Sequence, residues 1–193
     1  MKRTLLFLLS LLLAAMLLAV LPLRGEEAIY EGVVRLHVLA SSDLAADQNE
    51  KIAVRDAILA EYGPLLTSCR DVGEAKALLG ENLEGACRLA NEVLAASGSG
   101  HRASVSLKRE YFDRRAYGSK ILPAGTYLSL TVTIGEGEGQ NWWCVLYPPL
   151  CTDAAMGETL PKEHFTPAER ELISGDYVIR LRVLEWVEAW LGE

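Results

Sequence analysis

The hydrophobic pattern of this 193-residue chain changes its period at the Ser-Gly-Ser-Gly loop of residues 97–100. Over residues 44–96, before this loop, apolar residues recur at helical spacing, as in Ile52, Leu59 and Leu66. After it, apolar and polar residues alternate, most strictly over residues 128–134, as they do in a half-buried strand. A chain with one helical part and one strand part is typical of an α+β fold.

The same patterns predict the individual elements. We expect a first strand over residues 33–40, helices over 44–67, 71–79 and 82–96, and later strands that include 103–107, 128–134 and 141–147. Gly63-Pro64 is expected to end or kink the first helix. The fold class is therefore a largely antiparallel sheet of about four strands packed with three helices, followed by a helical C-terminal extension over residues 154–193. Part of that extension, around residues 179–183, alternates like a strand.

Ser42 and Asp43 lie between the first predicted strand and the first predicted helix. Serine and aspartate side chains accept hydrogen bonds from the free backbone N–H groups at a helix start. We therefore interpret both residues as helix caps. Their nearness in sequence to His37 does not establish a hydrolase site, because a nucleophile needs a base within reach and an oxyanion site.

The N-terminus carries Lys2 and Arg3 and then an apolar run over residues 5–23. A short positive start before such a run is typical of an export signal. We predict a signal peptide or signal anchor over residues 1–24 and a polar connector over 25–32. The positive residues should stay in the cytoplasm, which places the rest of the chain outside it.

Charge limits the possible partners. Acidic residues outnumber basic ones by 26 to 19, for a net charge of −7, and the basic residues form no block. Nucleic-acid binding depends on clustered positive charge, so we predict no nucleic-acid partner. We expect membrane contact only through the N-terminal segment, if it is not cleaved.

Four cysteines, an even number, favour disulfides in an exported chain. Cys144 and Cys151 are close in sequence with a Pro-Pro bend between them, and we predict that they pair; closing so short a loop is worth about 2.5 kcal/mol. Cys69 and Cys87 form a possible second pair, although Cys87 could also be an inert buried thiol. The chain contains no C-x-x-C motif and its histidines are scattered, so we predict no metal site.

The segment after residue 134 is the most informative for function. Gly135, Gly137 and Gly139 precede a predicted strand rather than a helix, which argues against a phosphate-binding loop. In the strand that follows, Trp142 and Trp143 must face opposite sides. One interpretation is a central strand buried on both faces. The other is a partner-binding site, in which Trp142 packs in the core with Cys144 and Leu146. The candidate contact residues are then Glu136, Glu138, Gln140, Asn141 and Trp143.

Several segments resemble the stage II sporulation protein R family of endospore-forming bacteria. They are Arg-Leu-His-Val-Leu-Ala-Ser-Ser-Asp over residues 35–43, Leu-Pro-Ala-Gly-Thr-Tyr over 122–127, and Gly-Glu-Gly-Glu-Gly-Gln-Asn-Trp-Trp-Cys-Val-Leu-Tyr-Pro-Pro-Leu-Cys over 135–151. The resemblance covers about residues 33–153, which we take as the family domain.

The resemblance implies an exported forespore signalling protein that lies between the forespore and mother-cell membranes. Its partner would be a membrane-embedded aspartic protease, which processes the precursor of the early mother-cell sigma factor. We therefore expect no enzyme activity, no catalytic residues, no cofactor and no small-molecule ligand. The alternatives are a membrane-tethered extracytoplasmic adaptor or structural domain and a secreted wall-active hydrolase.

Overall fold

The computed structural model describes residues 2–20, 26–117 and 120–148. These residues form five helices and six strands. The helices are α1 (Lys2–Val20), α2 (Glu26–Gly32), α3 (Ala45–Thr67), α4 (Val72–Glu81) and α5 (Leu83–Ala96), and the strands are β1 (Val34–Leu39), β2 (Ala103–Phe112), β3 (Arg115–Tyr117), β4 (Lys120–Leu122), β5 (Gly125–Ile134) and β6 (Asn141–Tyr147).

Four of the strands form one sheet in the order β2-β5-β1-β6. β5 is antiparallel to β2 and β6 is antiparallel to β1, whereas β1 and β5 run parallel. The expected α+β class with a largely antiparallel four-stranded sheet is confirmed. β6 lies at one edge of this sheet, so the interpretation of residues 141–147 as a central strand is wrong for the described part of the chain.

Helices α3, α4 and α5 cover one face of the sheet. Every second residue of β1 points toward them, and Val34, Leu36 and Val38 are fully buried there. Helix residues such as Ile58 and Leu94 complete this core. The alternation along β1 therefore places Arg35 and His37 on the opposite face.

A second, smaller apolar cluster lies on that opposite face, beneath α2 and the β3–β4 hairpin. Its fully or almost fully buried members are Ile29, Val33, Phe112, Leu122, Tyr127 and Val145. Residues 25–32 were expected to be a connector, and this is wrong for residues 26–32. They form α2, because the apolar side of that short helix packs through Ile29 against the sheet.

The start of α3 corrects the expected helix caps. Its N-cap position is Leu44, and no side chain caps the helix there. Ser42 and Asp43 lie upstream of the N-cap position and form other hydrogen bonds: the Ser42 hydroxyl accepts from the Leu44 N–H and donates to Asp47, and Asp43 accepts from the backbone of Gln140. At α4 the cap is as expected, since Asp71 accepts a hydrogen bond from the Glu74 backbone N–H.

Helix α3 also continues through Pro64 to Thr67. The expectation that Gly63-Pro64 ends the helix is therefore wrong. Proline cannot donate to the carbonyl four residues earlier, which belongs to Ala60. Both Pro64 and Ala60 are exposed, so water can satisfy that carbonyl.

The possible second disulfide is also corrected, because Cys69 and Cys87 are free thiols. Cys69 lies just after α3 with its sulfur near the carbonyl of Leu65, whereas the sulfur of Cys87 on α5 lies near the carbonyl of Ala103 on β2. The two sulfurs thus contact different elements. The pairing of Cys144 with Cys151 stays a prediction, because Cys151 lies outside the described residues, as does the predicted extension over 154–193.

Helix α1 contains residues 5–20 of the apolar N-terminal run, and its side chains from residue 3 to residue 16 are exposed. Among the described residues, no helix combines the length and the hydropathy needed for a membrane span.

Candidate functional site

Two loops that are distant in sequence meet at one end of the sheet, and together they form the candidate site. Residues 40–44 follow β1 and residues 135–140 join β5 to β6; we call these two segments the loop junction. The backbone N–H of Gly139 donates to the carbonyl of Ala40 at 2.9 Å, and that of Glu138 donates to the carbonyl of Ser41 at 3.3 Å. The junction is thus held by main-chain hydrogen bonds, which do not depend on flexible side chains.

Side chains add a second set of contacts around Gln140. Its backbone N–H donates to the Asp43 carboxylate at 2.7 Å, and its carbonyl accepts from the Lys51 ammonium at 2.9 Å. Burial lowers the pKa of Lys51, whereas nearby Asp43 acts to raise it. Asp43 and Lys51 therefore hold the end of the glycine-rich loop at Gln140, Asp43 through the backbone N–H and Lys51 through the backbone carbonyl.

Glycines are required in this loop for two different reasons. Gly135 and Gly137 have positive φ angles of 55° and 69°, a conformation that other residues rarely adopt. At Gly139, a Cβ would lie 2.2 Å from the carbonyl oxygen of Ser42. The repeated glycines thus build a tight turn against a neighbouring backbone, as their position before a strand indicates.

The predicted contact residues of the loop are at the surface. Glu136, Glu138, Gln140 and Asn141 are all exposed, next to the exposed Leu44 at the start of α3. The structure therefore brings four of the five candidate residues together on one exposed turn.

The two tryptophans do not have the burial that we expected. Trp142 faces the helices but lies at their rim, where it is 36% exposed and the Arg55 guanidinium carbon is 4.2 Å from its ring centre. Trp143 is half-buried on the other face, stacked on His37 at 3.6 Å and edge-on to Phe112 at 4.7 Å. The assignment of Trp142 to the core and Trp143 to the surface is corrected: Trp142 is the more exposed tryptophan and lies in β6, just after the loop junction.

Behind Trp143 lies a polar network on the same face of the sheet. The Nδ1 atom of His37 is 3.1 Å from the Glu110 carboxylate, which also accepts a hydrogen bond from the Thr131 hydroxyl at 2.7 Å. Burial alone would raise the pKa of Glu110, but hydrogen bonds from His37, Thr131 and Ser129 lower it to about 2. The carboxylate therefore stays ionised in the folded protein under all but strongly acidic conditions.

This network predicts a specific pH dependence of stability. Because the pKa of Glu110 is lower in the folded chain than its usual 4.5, its stabilisation is complete above about pH 4.5 and is lost as the pH falls toward 2. We expect Glu110→Gln to remove about 2 kcal/mol of the difference in unfolding free energy between pH 6 and pH 2.5. Urea unfolding of both proteins across this range measures the effect, and parallel curves would contradict it.

Arg35 lies on the same face and is fully buried. Its guanidinium carbon lies 4.2 Å from the ring centre of Phe112 and 5.0 Å from that of Tyr127, and it donates hydrogen bonds to the Tyr117 hydroxyl and the Cys144 carbonyl. Burial lowers the pKa of Arg35. Aromatic rings and neutral acceptors thus compensate this cation, which fixes the β3–β4 hairpin to the sheet.

The residues considered for a hydrolase do not converge. Ser42 donates its hydroxyl proton to Asp47, whereas His37 contacts Glu110 and Trp143 on the far face of the sheet. Ser42 therefore makes no hydrogen bond to His37, and the two residues do not form the Ser–His pair of a hydrolase. The geometry of Ser42, Asp43 and His37 is therefore that of a structural turn.

Comparison with known proteins identifies the family. A family model described as stage II sporulation protein R matches residues 30–156. The chain belongs to this family. The family protein from Bacillus subtilis (strain 168) is 33% identical over 139 residues, which cover 72% of this chain and 62% of that protein. This chain therefore aligns with less than two thirds of its relative's length, and no solved structure gives a significant match.

Family membership supports a role in sporulation, and both segments of the loop junction lie in the part of the chain that matches the family. Residues 40–43 and 135–141 both lie within the matched range 30–156, and the structure joins the two segments by backbone hydrogen bonds. A site of this kind is not visible in either segment alone.

Sequence reasoning missed one cluster next to the junction. Asp47 and Glu50 on α3 lie beside His101, with the Nδ1 atom of His101 3.1 Å from the Glu50 carboxylate. The i, i+3 spacing of the two acids places them on one helix face, which the sequence does show. Nothing in the sequence indicates that His101, in the loop before β2, returns to this face.

Proposed function

We propose that this chain is an exported signalling protein of sporulation that activates a membrane-embedded aspartic protease by direct contact. That protease would then process the precursor of the early mother-cell sigma factor. The proposal places the domain in the space between the forespore and mother-cell membranes, to which the apolar N-terminal run would direct it. It is supported by family membership and by the exposed turn of the loop junction.

The observation that carries the contact proposal is the exposed, rigid turn of the loop junction. Main-chain hydrogen bonds and those of Asp43 and Lys51 with Gln140 hold residues 138–140 in place. A preorganised loop loses little conformational entropy when it binds a partner. Glu136 and Glu138 extend from this turn into solvent.

Trp142 is the proposed anchor of the surface. Tryptophan and arginine are enriched among the residues that dominate binding energy, and here the Arg55 guanidinium lies over the exposed Trp142 ring. The ring is partly exposed while its strand is fixed in the sheet, so it can bind a partner without a change of fold. The surrounding acidic residues favour a partner surface that carries positive charge.

A comparison of the two tryptophans tests this proposal. We expect Trp142→Ala to change the unfolding free energy by about 1 kcal/mol or less, because the ring is at the rim, and to reduce protease activation at least tenfold. Trp143→Ala serves as the matched variant for the other face and should mainly destabilise the fold. The assay adds the full chain to the outer side of membranes that contain the protease and measures precursor cleavage.

Thermal unfolding of each variant separates a loss of contact from a loss of fold. Full activation by a folded Trp142→Ala protein would show that the contact surface does not include Trp142 and lies away from the loop junction. If the unmodified chain triggers no cleavage in this assay, the protease is not its direct target.

A further inference from the structure

The cluster of Asp47, Glu50 and His101 has the composition of a metal-ligand set. Asp47 and Glu50 lie one turn apart in the first turns of α3, and His101 precedes β2. The Nδ1 atom of His101 lies 3.1 Å from Glu50 Oε2 and 3.9 Å from Asp47 Oδ1, and ligand atoms of all three residues lie within 4.8 Å of one another. Four ligands at about 2.1 Å around a tetrahedral ion are separated by about 3.4 Å.

The charges around this cluster are not balanced by other side chains. The side chains of Asp47 and Glu50 are only 9% and 12% exposed. Their one ion-pair partner within the described part of the chain is His101, which can supply a single positive charge at most. The neighbouring Lys51 ammonium is directed away, to Gln48 and Gln140. Two nearly buried carboxylates with one imidazole therefore carry a net negative charge, which attracts a further cation.

The hydrogen bonds of Asp47 also orient it as a ligand. Its Oδ2 atom accepts the Ser42 hydroxyl proton at 2.6 Å, which leaves Oδ1 as the atom that faces His101. Metal-binding carboxylates commonly have such an outer hydrogen bond, which fixes the direction of the free oxygen. The His101 side chain is 35% exposed, so the cluster is open to solvent on one side. An ion can enter from that side and keep a water ligand there.

We propose that Asp47, Glu50 and His101 bind one divalent transition-metal ion of the Zn²⁺ type. One imidazole nitrogen and two carboxylates suit Zn²⁺ better than Ca²⁺ or Mg²⁺, which prefer sites made only of oxygen. Binding requires the neutral imidazole, so a protonated His101 must release its proton to solvent as the ion binds. The ion would join α3 to the loop before β2, where the Arg102 carbonyl accepts a hydrogen bond from Gly135. It would thereby stabilise the loop junction from behind.

Cobalt titration tests the site directly, because Co²⁺ replaces Zn²⁺ and its absorption reports the ligand atoms. The full chain, purified in mild detergent without a histidine tag and treated with a chelator, should bind one Co²⁺ per molecule with the spectrum of nitrogen and oxygen ligands. Zn²⁺ should displace the Co²⁺, and either ion should raise the unfolding temperature. A thiolate charge-transfer band would instead assign the ion to cysteine ligands and overturn the proposal.

Two variants and one control complete the experiment. Glu50→Gln, which keeps the size of the side chain, and His101→Ala should each weaken Co²⁺ binding at least tenfold. Glu84→Gln, an exposed acid at the start of α5, should bind Co²⁺ as the unmodified chain does. An absence of saturable binding, or binding that survives both variants, would show that the cluster is only an ion pair of a protonated His101.

Discussion

Phe112→Ala is expected to lower the free energy of unfolding by about 4 kcal/mol. Phe112 is 1% exposed at the end of β2 and lies at the centre of the second cluster. Its ring contacts the Arg35 guanidinium, Tyr127 and Trp143. Truncation would leave a cavity. It would also remove the aromatic ring closest to the buried Arg35 guanidinium.

Tyr111 provides the control for this experiment, because it is the adjacent residue on the same strand and is 63% exposed. Its ring points away from the second cluster, so Tyr111→Ala should cost no more than about 0.5–1 kcal/mol. Urea unfolding of both variants measures the difference. If Phe112→Ala loses as little stability as Tyr111→Ala, the second cluster adds little to the free energy of unfolding, and α2 and the hairpin are packed only weakly on the sheet.

Gly139→Ala is expected to destabilise the chain by about 3 kcal/mol, and the damage should be centred on the loop junction. The added Cβ would lie 2.2 Å from the carbonyl oxygen of Ser42 and 2.5 Å from its carbonyl carbon, so one of the two backbones must move. That movement would break the hydrogen bonds to Ala40 and Asp43. Hydrogen exchange should therefore show faster exchange at Glu138, Gly139 and Gln140.

Gly80→Ala is the matched control, since Gly80 lies on the exposed side of α4 with no atom near its Cβ position. Alanine favours helix over glycine by up to about 1 kcal/mol, so this variant should be neutral or more stable. If Gly139→Ala is equally harmless, the two loops do not pack as closely as the structure shows, and the contact proposal loses its rigid platform.

Local periodicity was sufficient to predict the main helices and strands. Helix α5 and strand β5 agree with their predicted ranges within a few residues, because each has a strict apolar pattern bounded by turn residues. The short elements were missed for the opposite reason. Helix α2 has one buried turn, and the β3–β4 hairpin has three residues on each side, so neither is long enough to show a period.

The errors at the site have a different physical cause. The exposure of Trp142 and Trp143 depends on how far the elements on each face of the sheet extend over β6. Strand alternation gives only the face of each side chain, not the extent of that cover. Asp43 resembles a cap in sequence, but its carboxylate is used by Gln140, which is distant along the chain. His101 likewise reaches Glu50 only through the tertiary fold. Long-range contacts of this kind decide the site, whereas the sequence patterns report only neighbours.

The central place of β1 in the sheet determines when the chain can fold. Val34, near the start of β1, pairs with Leu128 of β5 on one side and with Tyr147 of β6 on the other. During synthesis, β1 and helices α3–α5 therefore emerge long before the strands that complete their core. Contacts so distant in sequence make folding slow, because a long loop must close before they form. We therefore expect the complete domain to fold only when most of the chain is available, a timing that suits the proposed export.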